Sequence, residues 1–375
     1  MKVTIDAAAL MNAVDWTTRV SRESYTLVDV HEDGYVVFRA EGDQGMRSSR
    51  IQAAYAEEVT DKHTFSLSSP HLIKMMGALS KKKADGPVEL DLNDDKASIT
   101  YGYLKFPVAV MSSLGTLASD REKFKSLGAV DYNDFMDAVK TAKIATGAQL
   151  GAVSMLDLTF GKDRIDVMGT DKFTLVVESI PFEKTEGADD SRFLVLPDNC
   201  LLKAASERID IEESDESMKF IFDNGMVATV RKQTAKALNW MKIKSAATRP
   251  ETRENEKTFT VNRNELLTSA DIAISLAGAD QIRRVIVLTA ENGELGVSSN
   301  GNSSPSDKIS VDANNDSRTV MQFSHDELKK AIMSVSAEKL MIKYVDDDVP
   351  VIFESVLPDG SIDGNVFILT KTVKD

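Results

Sequence analysis

Two adjacent aspartates, Asp346 and Asp347, are the residues whose types and spacing most directly suggest chemistry. They lie in the stretch KYVDDDVPV at 343–351, between two segments of alternating apolar residues. Such a stretch is typical of the tight turn of a β-hairpin. Paired carboxylates on a turn can hold divalent metal ions for nucleotidyl transfer. The first hypothesis is therefore a metal-dependent nucleotidyl transferase, and the alternative is an ordinary acidic turn.

An internal repeat bears on this choice. An apolar strand residue, four polar or small residues and an apolar helix residue recur six times, 62 to 66 residues apart. Each copy predicts a strand end, a polar N-cap and an amphipathic helix, and a hairpin pattern follows each helix. The six copies begin at Ile5, Leu67, Val130, Leu196, Val261 and Phe323.

The hairpins after the second, fourth and sixth copies align without a gap. The acidic pair at 346–347 then matches Asp94 and Asp95 in one copy, and Asp215 and Glu216 in another. Charge at such a turn keeps an exposed hairpin soluble. A metal site would need a further carboxylate converging on the pair, and the sequence marks none. The repeat therefore favours the acidic turn and no catalytic residue.

The six units pair into three similar domains. Polar, charged linkers at 119–128 and 245–257 support the divisions. The sequence thus predicts an α+β protein with domains at 1–122, 123–248 and 249–375, each with two helices laid on antiparallel sheets.

Composition limits the class of protein. The net charge is −14 over 375 residues, and no apolar run is long enough to span a membrane. The start lacks a secretory signal, and the single cysteine, Cys200, leaves no intrachain disulfide. These features predict a cytoplasmic protein without a membrane partner. The acidic total counts against nucleic-acid binding unless the cations are concentrated on one surface.

The predicted helices offer such a surface. Two residues after the apolar helix residue, on the opposite face, the three even-numbered copies each carry a lysine. If the helices line a channel, these and three further cations would contact DNA phosphates without reading sequence. Acidic residues share this face at Asp15, Asp137 and Asp271, so the surface is only modestly cationic. The predicted DNA-facing residues are Arg19, Lys74, Lys81, Lys140, Lys203 and Lys330.

Three segments resemble a known family. RIDVMGTDKFTLVV (164–177), VNRNELL (261–267) and FSHDELKKAI (323–332) are similar to the β subunit of bacterial DNA polymerase III, the replicative sliding clamp. The resemblance implies a non-enzymatic processivity factor without cofactor or metal. It also implies a head-to-tail homodimer closed as a ring around duplex DNA, associated with the nucleoid. No phosphate-binding G-x-x-x-x-G-K-[ST] occurs, so a separate clamp loader would open the ring.

The resemblance also implies a groove that accepts short linear peptides from DNA polymerase, the clamp loader and repair proteins. Two departures bear on its shape. The family's G-H-R after T-D is Lys172-Phe173-Thr174 here, and its C-terminal M-P-M is replaced by Thr370-Lys371-Thr372. Residues 170–175 could instead be strand core, and the chain could be a clamp-like module or decoy that never encircles DNA. The predicted groove residues are Leu150, Thr170, Asp171, Lys172, Phe173, Thr174, Leu175, Trp240, Phe367, Ile368, Leu369 and Thr370.

Overall fold

The computed structural model describes residues 1–111, 116–147, 151–276, 284–299, 307–315 and 317–369. Seven α-helices lie in this part of the chain: α1 Ala7–Thr18, α2 Ser69–Lys81, α3 Tyr132–Ile144, α4 Pro197–Cys200, α5 Trp240–Ala247, α6 Arg263–Leu276 and α7 His325–Ser334.

Twenty-seven strands lie in the described residues, nine in each third of the chain. The first third contributes β1 Lys2–Asp6, β2 Tyr25–Val30, β3 Tyr35–Gly42, β4 Gly45–Gln52, β5 Ala54–Tyr55, β6 His63–Ser68, β7 Pro87–Leu92, β8 Ala97–Tyr101 and β9 Leu104–Val108. The second contributes β10 Lys125–Asp131, β11 Leu156–Phe160, β12 Arg164–Thr170, β13 Thr174–Pro181, β14 Glu183–Lys184, β15 Ser191–Val195, β16 Arg208–Glu213, β17 Ser217–Phe222 and β18 Met226–Arg231. The last contributes β19 Lys257–Asn262, β20 Val285–Glu291, β21 Glu294–Ser299, β22 Asp307–Ser310, β23 Asp312–Ala313, β24 Thr319–Ser324, β25 Lys339–Tyr344, β26 Val351–Val356 and β27 Ile362–Leu369.

The chain forms two compact units. Unit 1 comprises Met1–Asn133, Glu183–Asp189 and Leu202–Lys232, and unit 2 comprises Asp134–Phe182, Asp190–Leu201 and Gln233–Asp375. The middle third therefore contributes to both units. The three domains proposed from the sequence, at 1–122, 123–248 and 249–375, stay a prediction.

In the described residues, each unit holds two antiparallel sheets. Unit 1 has a five-stranded sheet in the order β5-β1-β7-β8-β9 and a nine-stranded sheet in the order β14-β10-β16-β17-β18-β4-β3-β2-β6. Unit 2 has a nine-stranded sheet in the order β15-β11-β12-β13-β27-β26-β25-β19-β23 and a four-stranded sheet in the order β22-β21-β20-β24. Mostly antiparallel sheet with a few helices confirms the predicted α+β class.

Local sequence accounts for the helix starts and the turns. Asp6 caps α1, since its carboxylate accepts a hydrogen bond from the Ala9 amide at 3.0 Å. Asn292 and Gly293, between β20 and β21, both adopt positive φ, 53° and 76°, which is the geometry of a two-residue hairpin turn. Five of the six predicted helices form along their amphipathic segments. The fourth, α4, ends after one turn at Cys200.

The core of unit 1 lies between helices and both sheets. Leu10 of α1 and Leu72 of α2 are fully buried against strand residues such as Phe38 and Leu90. In unit 2, the rings of Phe323, Phe353 and Phe367 pack edge to face, with 5.9 Å between centroids in each successive pair. Apolar faces of strands and helices thus meet as the alternation of the sequence predicts.

The acidic pair of the opening hypothesis lies in the turn between β25 and β26. Asp346 accepts hydrogen bonds from the backbone amides of Asp348 and Val349, at 2.8 and 3.1 Å. Asp347 accepts one from the Tyr344 hydroxyl at 2.9 Å. Among the described residues no cluster of acids, histidines and cysteines could hold a metal ion.

No helix in the same residues is long and apolar enough to cross a membrane.

Candidate partner groove and DNA-facing cations

The turn between β12 and β13 carries most of the predicted groove residues. Asp171 organises it, since one carboxylate oxygen accepts from the Phe173 amide at 3.0 Å, and from the Thr174 amide and hydroxyl at 2.8 Å each. The Thr170 hydroxyl closes the turn by donating to the Thr174 carbonyl at 2.6 Å. These bonds hold a short, rigid turn beside the strands.

The two residues at the tip of this turn are exposed. Lys172 has a φ of +84°, a left-handed conformation that a side chain disfavours. Sliding clamps of the family that the sequence resembles have glycine at this position. This chain keeps the backbone conformation that suits glycine, although the residue is a lysine. Phe173 leaves 53% of its surface exposed, which is unusual for a large aromatic residue. The tip therefore presents one cation and one apolar ring to solvent.

Below the turn lies an apolar cluster that combines residues far apart in sequence. The pairing of β13 with β27 sets Leu175 opposite Ile368, and Trp240 of α5 packs against both. We call this set the groove cluster; its members are Met168, Leu175, Val177, Trp240, Ala247, Ile352 and Ile368. Three of the predicted groove residues thus meet in one place.

Other predicted groove residues lie elsewhere. Side chains alternate along a strand, so Phe367 and Leu369 point to the opposite face from Ile368. Phe367 accordingly packs its ring against Phe353 in the core of unit 2. Leu150 and Thr370 lie outside the described residues.

Trp240 is the largest member of the groove cluster, and it is almost completely buried. It begins α5, which Asn239 caps by accepting from the Lys242 amide at 3.2 Å. Only 3% of the Trp240 surface is exposed, and its indole nitrogen is buried without a hydrogen-bond partner among the described residues. The sequence did not predict this helix, whose last three residues overlap the linker proposed at 245–257.

Lys330, one of the predicted DNA-facing cations, contacts the turn between β12 and β13, which we call the groove turn. Its ammonium group lies 2.7 Å from Oδ2 of Asp171, the carboxylate oxygen that the turn does not use, and 3.0 Å from Oε1 of Glu327. Burial opposes ionisation of Asp171, but hydrogen bonds from Lys330 and Thr174 outweigh it and hold the pKa of Asp171 below its usual range. Lys330 is therefore engaged in unit 2 itself.

We expect Lys330→Met to loosen this turn. The change leaves Asp171 without its counter-ion and should lower the free energy of unfolding at pH 7 by about 1–3 kcal/mol. Because the folded-state pKa of Asp171 is depressed below its ordinary 3.8, the wild-type contribution is present at neutral pH and is lost as pH falls through the folded-state pKa. Urea unfolding at pH 7 and pH 3 measures both. Lys74→Met, at an exposed site, is the matched control and should change neither value.

The remaining predicted cations differ in their surroundings. Lys74 and Lys81 lie exposed on α2 and form no ion pair with a described residue. Arg19 pairs with Asp15, and Lys140 pairs with Asp137 at 2.8 Å. Two of the acids that share the helix faces thus neutralise their cationic neighbours, and of the predicted cations that lie on helices the two on α2 form no ion pair with a described residue.

The helical position predicted for Lys203 is wrong. The helix ends at Cys200, and Lys203 lies in the segment that follows it. There the Tyr132 hydroxyl donates to the Leu202 carbonyl at 2.8 Å and accepts from the Ala204 amide at 3.2 Å. These tertiary bonds take up backbone groups that a longer helix would need. Lys203 remains exposed, although not on a helix face.

One buried cation was missed by the sequence reasoning. The Arg47 guanidinium of β4 lies 4.5 Å from the centroid of the Trp16 ring, and the residue is only 8% exposed. Burial, with the nearby charge of Arg19, lowers the pKa of Arg47 to about 10, so it stays charged at neutral pH. Arg47 could not be identified from spacing because it lies on a strand and not on a helix face.

A buried acid on β13, Glu178, makes the stability of the folded protein depend on pH. Burial, aided by the charge of Asp363, raises the pKa of Glu178 from its ordinary 4.5 to about 8. Its neutral form therefore stabilises the folded state below about pH 4.5, and that stability is lost as pH rises through about 8. We expect Glu178→Gln to stabilise the protein by a few kcal/mol at pH 9 and to have little effect at pH 4. Thermal unfolding across this range tests it, with the exposed Glu251→Gln as control.

No family model matches the sequence, and no curated protein matches it. Solved structures match over 100% of both chains. They include a Pseudomonas aeruginosa DnaN sliding clamp bound to griselimycin (13% identity, TM-score 0.83), a Caulobacter crescentus DNA polymerase sliding clamp (18%, 0.78) and the Thermotoga maritima DNA polymerase III β subunit (16%, 0.79). Along its whole length, this divergent chain therefore has the fold of the bacterial DNA polymerase III β subunit, the sliding clamp.

Proposed function

We propose that this protein is a DNA sliding clamp without enzymatic activity. Two copies close head to tail around duplex DNA, and the groove cluster tethers DNA polymerase, the clamp loader and repair proteins through short peptide motifs. The protein acts in the cytoplasm, at the nucleoid. The observation that carries this proposal is the clamp fold along the full length of the chain, at TM-scores of 0.78 to 0.83.

A pairing rule within the chain supports closure of a ring. The fourth strand of the first third, β4, pairs with the ninth strand of the second, β18. The fourth strand of the second third, β13, pairs in turn with the ninth strand of the last, β27. Two strands have no such partner within the chain. They are β22, the fourth strand of the last third, and β9, the ninth strand of the first third. Among the residues that the structure describes, both are edge strands of their sheets, so each can pair with its counterpart in a second copy.

Exposed apolar side chains accompany both edges. Tyr103, beside β9, is fully exposed, and Ile73 on the neighbouring α2 is 36% exposed. In unit 2, Ile272 and Leu276 are 42% and 63% exposed on α6, which packs against β22. Large apolar residues that lie next to an unpaired strand are typical of a subunit interface. They support self-association through these two edges.

Contact with DNA would rest on charge and not on base recognition. Lys81, Lys82 and Lys83 form an exposed run at the end of α2. Such a run binds phosphates weakly and without regard to sequence, which suits a protein that slides. The groove cluster and the exposed Phe173 provide apolar contacts for a peptide.

The test is retention on DNA through topology. A variant with Lys105→Cys in β9, Lys308→Cys in β22 and Cys200→Ala is assembled on nicked circular plasmid and linked with a flexible bis-maleimide. We expect the linked protein to stay on the circle in 1 M salt, which screens surface charge, and to leave once the plasmid is cut. Equal retention on circular and linear DNA, or no retention on either, would contradict the proposal.

One observation favours a second candidate, a clamp-shaped module or decoy that binds clamp partners as a monomer. Pro107 lies in β9 and lacks a backbone donor, so the proposed edge has one hydrogen bond fewer to offer. Proline on an edge strand is also a means of preventing association. A protein that stays monomeric at high concentration and still binds clamp partners would support this candidate.

A further inference from the structure

The groove cluster is closed in the structure, and Trp240 fills it. Leu175 and Ile368 are 1% and 0% exposed, and Trp240 is 3% exposed among them. Protein interiors are close-packed, so a partner side chain cannot enter this cluster unless a present member leaves it. A peptide-binding role for the groove cluster, as proposed above, therefore requires a displaceable residue.

Trp240 is the member that can move most easily. Five members lie on adjacent interior strands of the nine-stranded sheet of unit 2, and each of these strands is hydrogen-bonded to a strand on both sides: Met168, Leu175, Val177, Ile352 and Ile368. Trp240 instead begins an eight-residue helix, preceded by a coil at 232–239. So short a helix has little stability of its own. Rotation of Trp240 outward would leave the strand ladders unchanged.

The closed position of Trp240 also carries a cost. Its indole N–H is buried without an acceptor among the described residues, and a buried unpaired donor is unfavourable. Outward rotation would let this N–H bond to water or to a carbonyl of an arriving peptide. Burial of the ring and the unpaired donor thus oppose each other, which reduces the free-energy difference between the closed and open positions.

The surface around Trp240 suits an arriving peptide. Met241 and Ile243, which follow it on α5, are 51% and 38% exposed. Phe173, at the tip of the turn that leads to Leu175, is 53% exposed. These side chains offer apolar contacts outside the closed cluster, where a peptide can bind before its anchor enters.

We propose that Trp240 is an intrinsic occupant of the anchor pocket, which a large apolar side chain of a partner peptide displaces and replaces. The inference rests on the proposed function only in assigning the groove to partner peptides. Trp240 then sets both the affinity and the specificity of the groove. Weak apolar anchors fail to displace it, whereas an aromatic or branched aliphatic anchor succeeds.

The experiment uses Trp240 as its own reporter. The sequence has two tryptophans, so Trp16→Phe leaves Trp240 as the single fluorophore. Griselimycin, the compound in the P. aeruginosa complex, is the probe. On its addition we expect Trp240 emission to move to longer wavelength and acrylamide quenching to rise roughly twofold, as a close-packed ring becomes accessible.

A second variant measures the cost of displacement. If the open position is populated about a tenth of the time, Trp16→Phe/Trp240→Ala binds griselimycin about tenfold more tightly than Trp16→Phe. Free indole should bind the vacated pocket in the Trp240→Ala variant and compete with griselimycin there. Trp16→Phe/Trp240→Phe, which retains an aromatic ring, should give an intermediate affinity.

Two outcomes would overturn the inference. In the first, griselimycin binds Trp16→Phe with unchanged Trp240 emission and with the same affinity as it binds Trp16→Phe/Trp240→Ala. In the second, neither griselimycin nor free indole binds any variant, because a pocket vacated by Trp240 that takes no ligand is not an anchor pocket. The DNA ring is judged separately by retention on circular plasmid. Displacement of Trp240 without retention would keep this inference and reject the ring.

Discussion

Replacing Gly169 by alanine is expected to lower the free energy of unfolding by at least about 3 kcal/mol. Gly169 lies in β12, where a Cβ would be 1.9 Å from the carbonyl oxygen of Ala142 in α3. That neighbour is backbone and cannot rotate away. Accommodating the methyl group requires α3 to lift from β12, which would disrupt the packing next to the groove turn.

The matched control is Gly77→Ala in α2. A Cβ there meets nothing within 4 Å, and alanine favours helix over glycine, so stability should rise by about 0.5–1 kcal/mol. Urea unfolding followed by tryptophan fluorescence measures both variants. A Gly169→Ala protein as stable as the wild type would mean that α3 does not pack against β12 as described.

Replacing Lys105 by proline is expected to weaken self-association at least about tenfold. Proline within a sheet is tolerated where its missing N–H would face away from the neighbouring strand, so Pro107 has its gap on the free edge of β9. Hydrogen bonding alternates along an antiparallel strand, and Lys105, two residues earlier, therefore directs its N–H to the same edge. Lys105→Pro would remove that donor while the pairing of β9 with β8 remains.

Lys105→Ala separates this effect from loss of the side chain. It removes the charge but keeps the backbone donor, so its dissociation constant should stay close to that of the wild type. Sedimentation over a range of concentrations measures all three proteins. If Lys105→Pro and Lys105→Ala associate equally well, β9 does not pair through its backbone with a second copy.

Much of the fold could be predicted because the repeat carries physical information in every copy. An apolar residue, a polar cap and an amphipathic stretch are enough to specify a strand end and a helix, and α1, α2, α3, α6 and α7 follow. The fourth copy shows the limit of this reasoning. Its segment LLKAAS has good helix formers, but the Tyr132 hydroxyl, about 70 residues earlier, binds its backbone groups.

The candidate site was predictable only in part. Strand alternation already implies that Ile368 and its neighbours Phe367 and Leu369 cannot share one face. A signal for α5 was also present, since Trp240 and Ala247 are seven residues apart and both join the groove cluster. The contact of Lys330 with Asp171 joins residues 159 positions apart, and nothing local in the sequence encodes it.

The mass of the protein in solution tests the central claim most directly, because a ring of this chain needs a second copy to pair β9 with β22. Light scattering is run at several concentrations in moderate salt, alone and with nicked circular DNA. The predicted mass is that of two copies, twice 41.1 kDa, and the predicted species on the DNA is the same dimer. A single copy of 41.1 kDa at every concentration, with or without DNA, would contradict the ring.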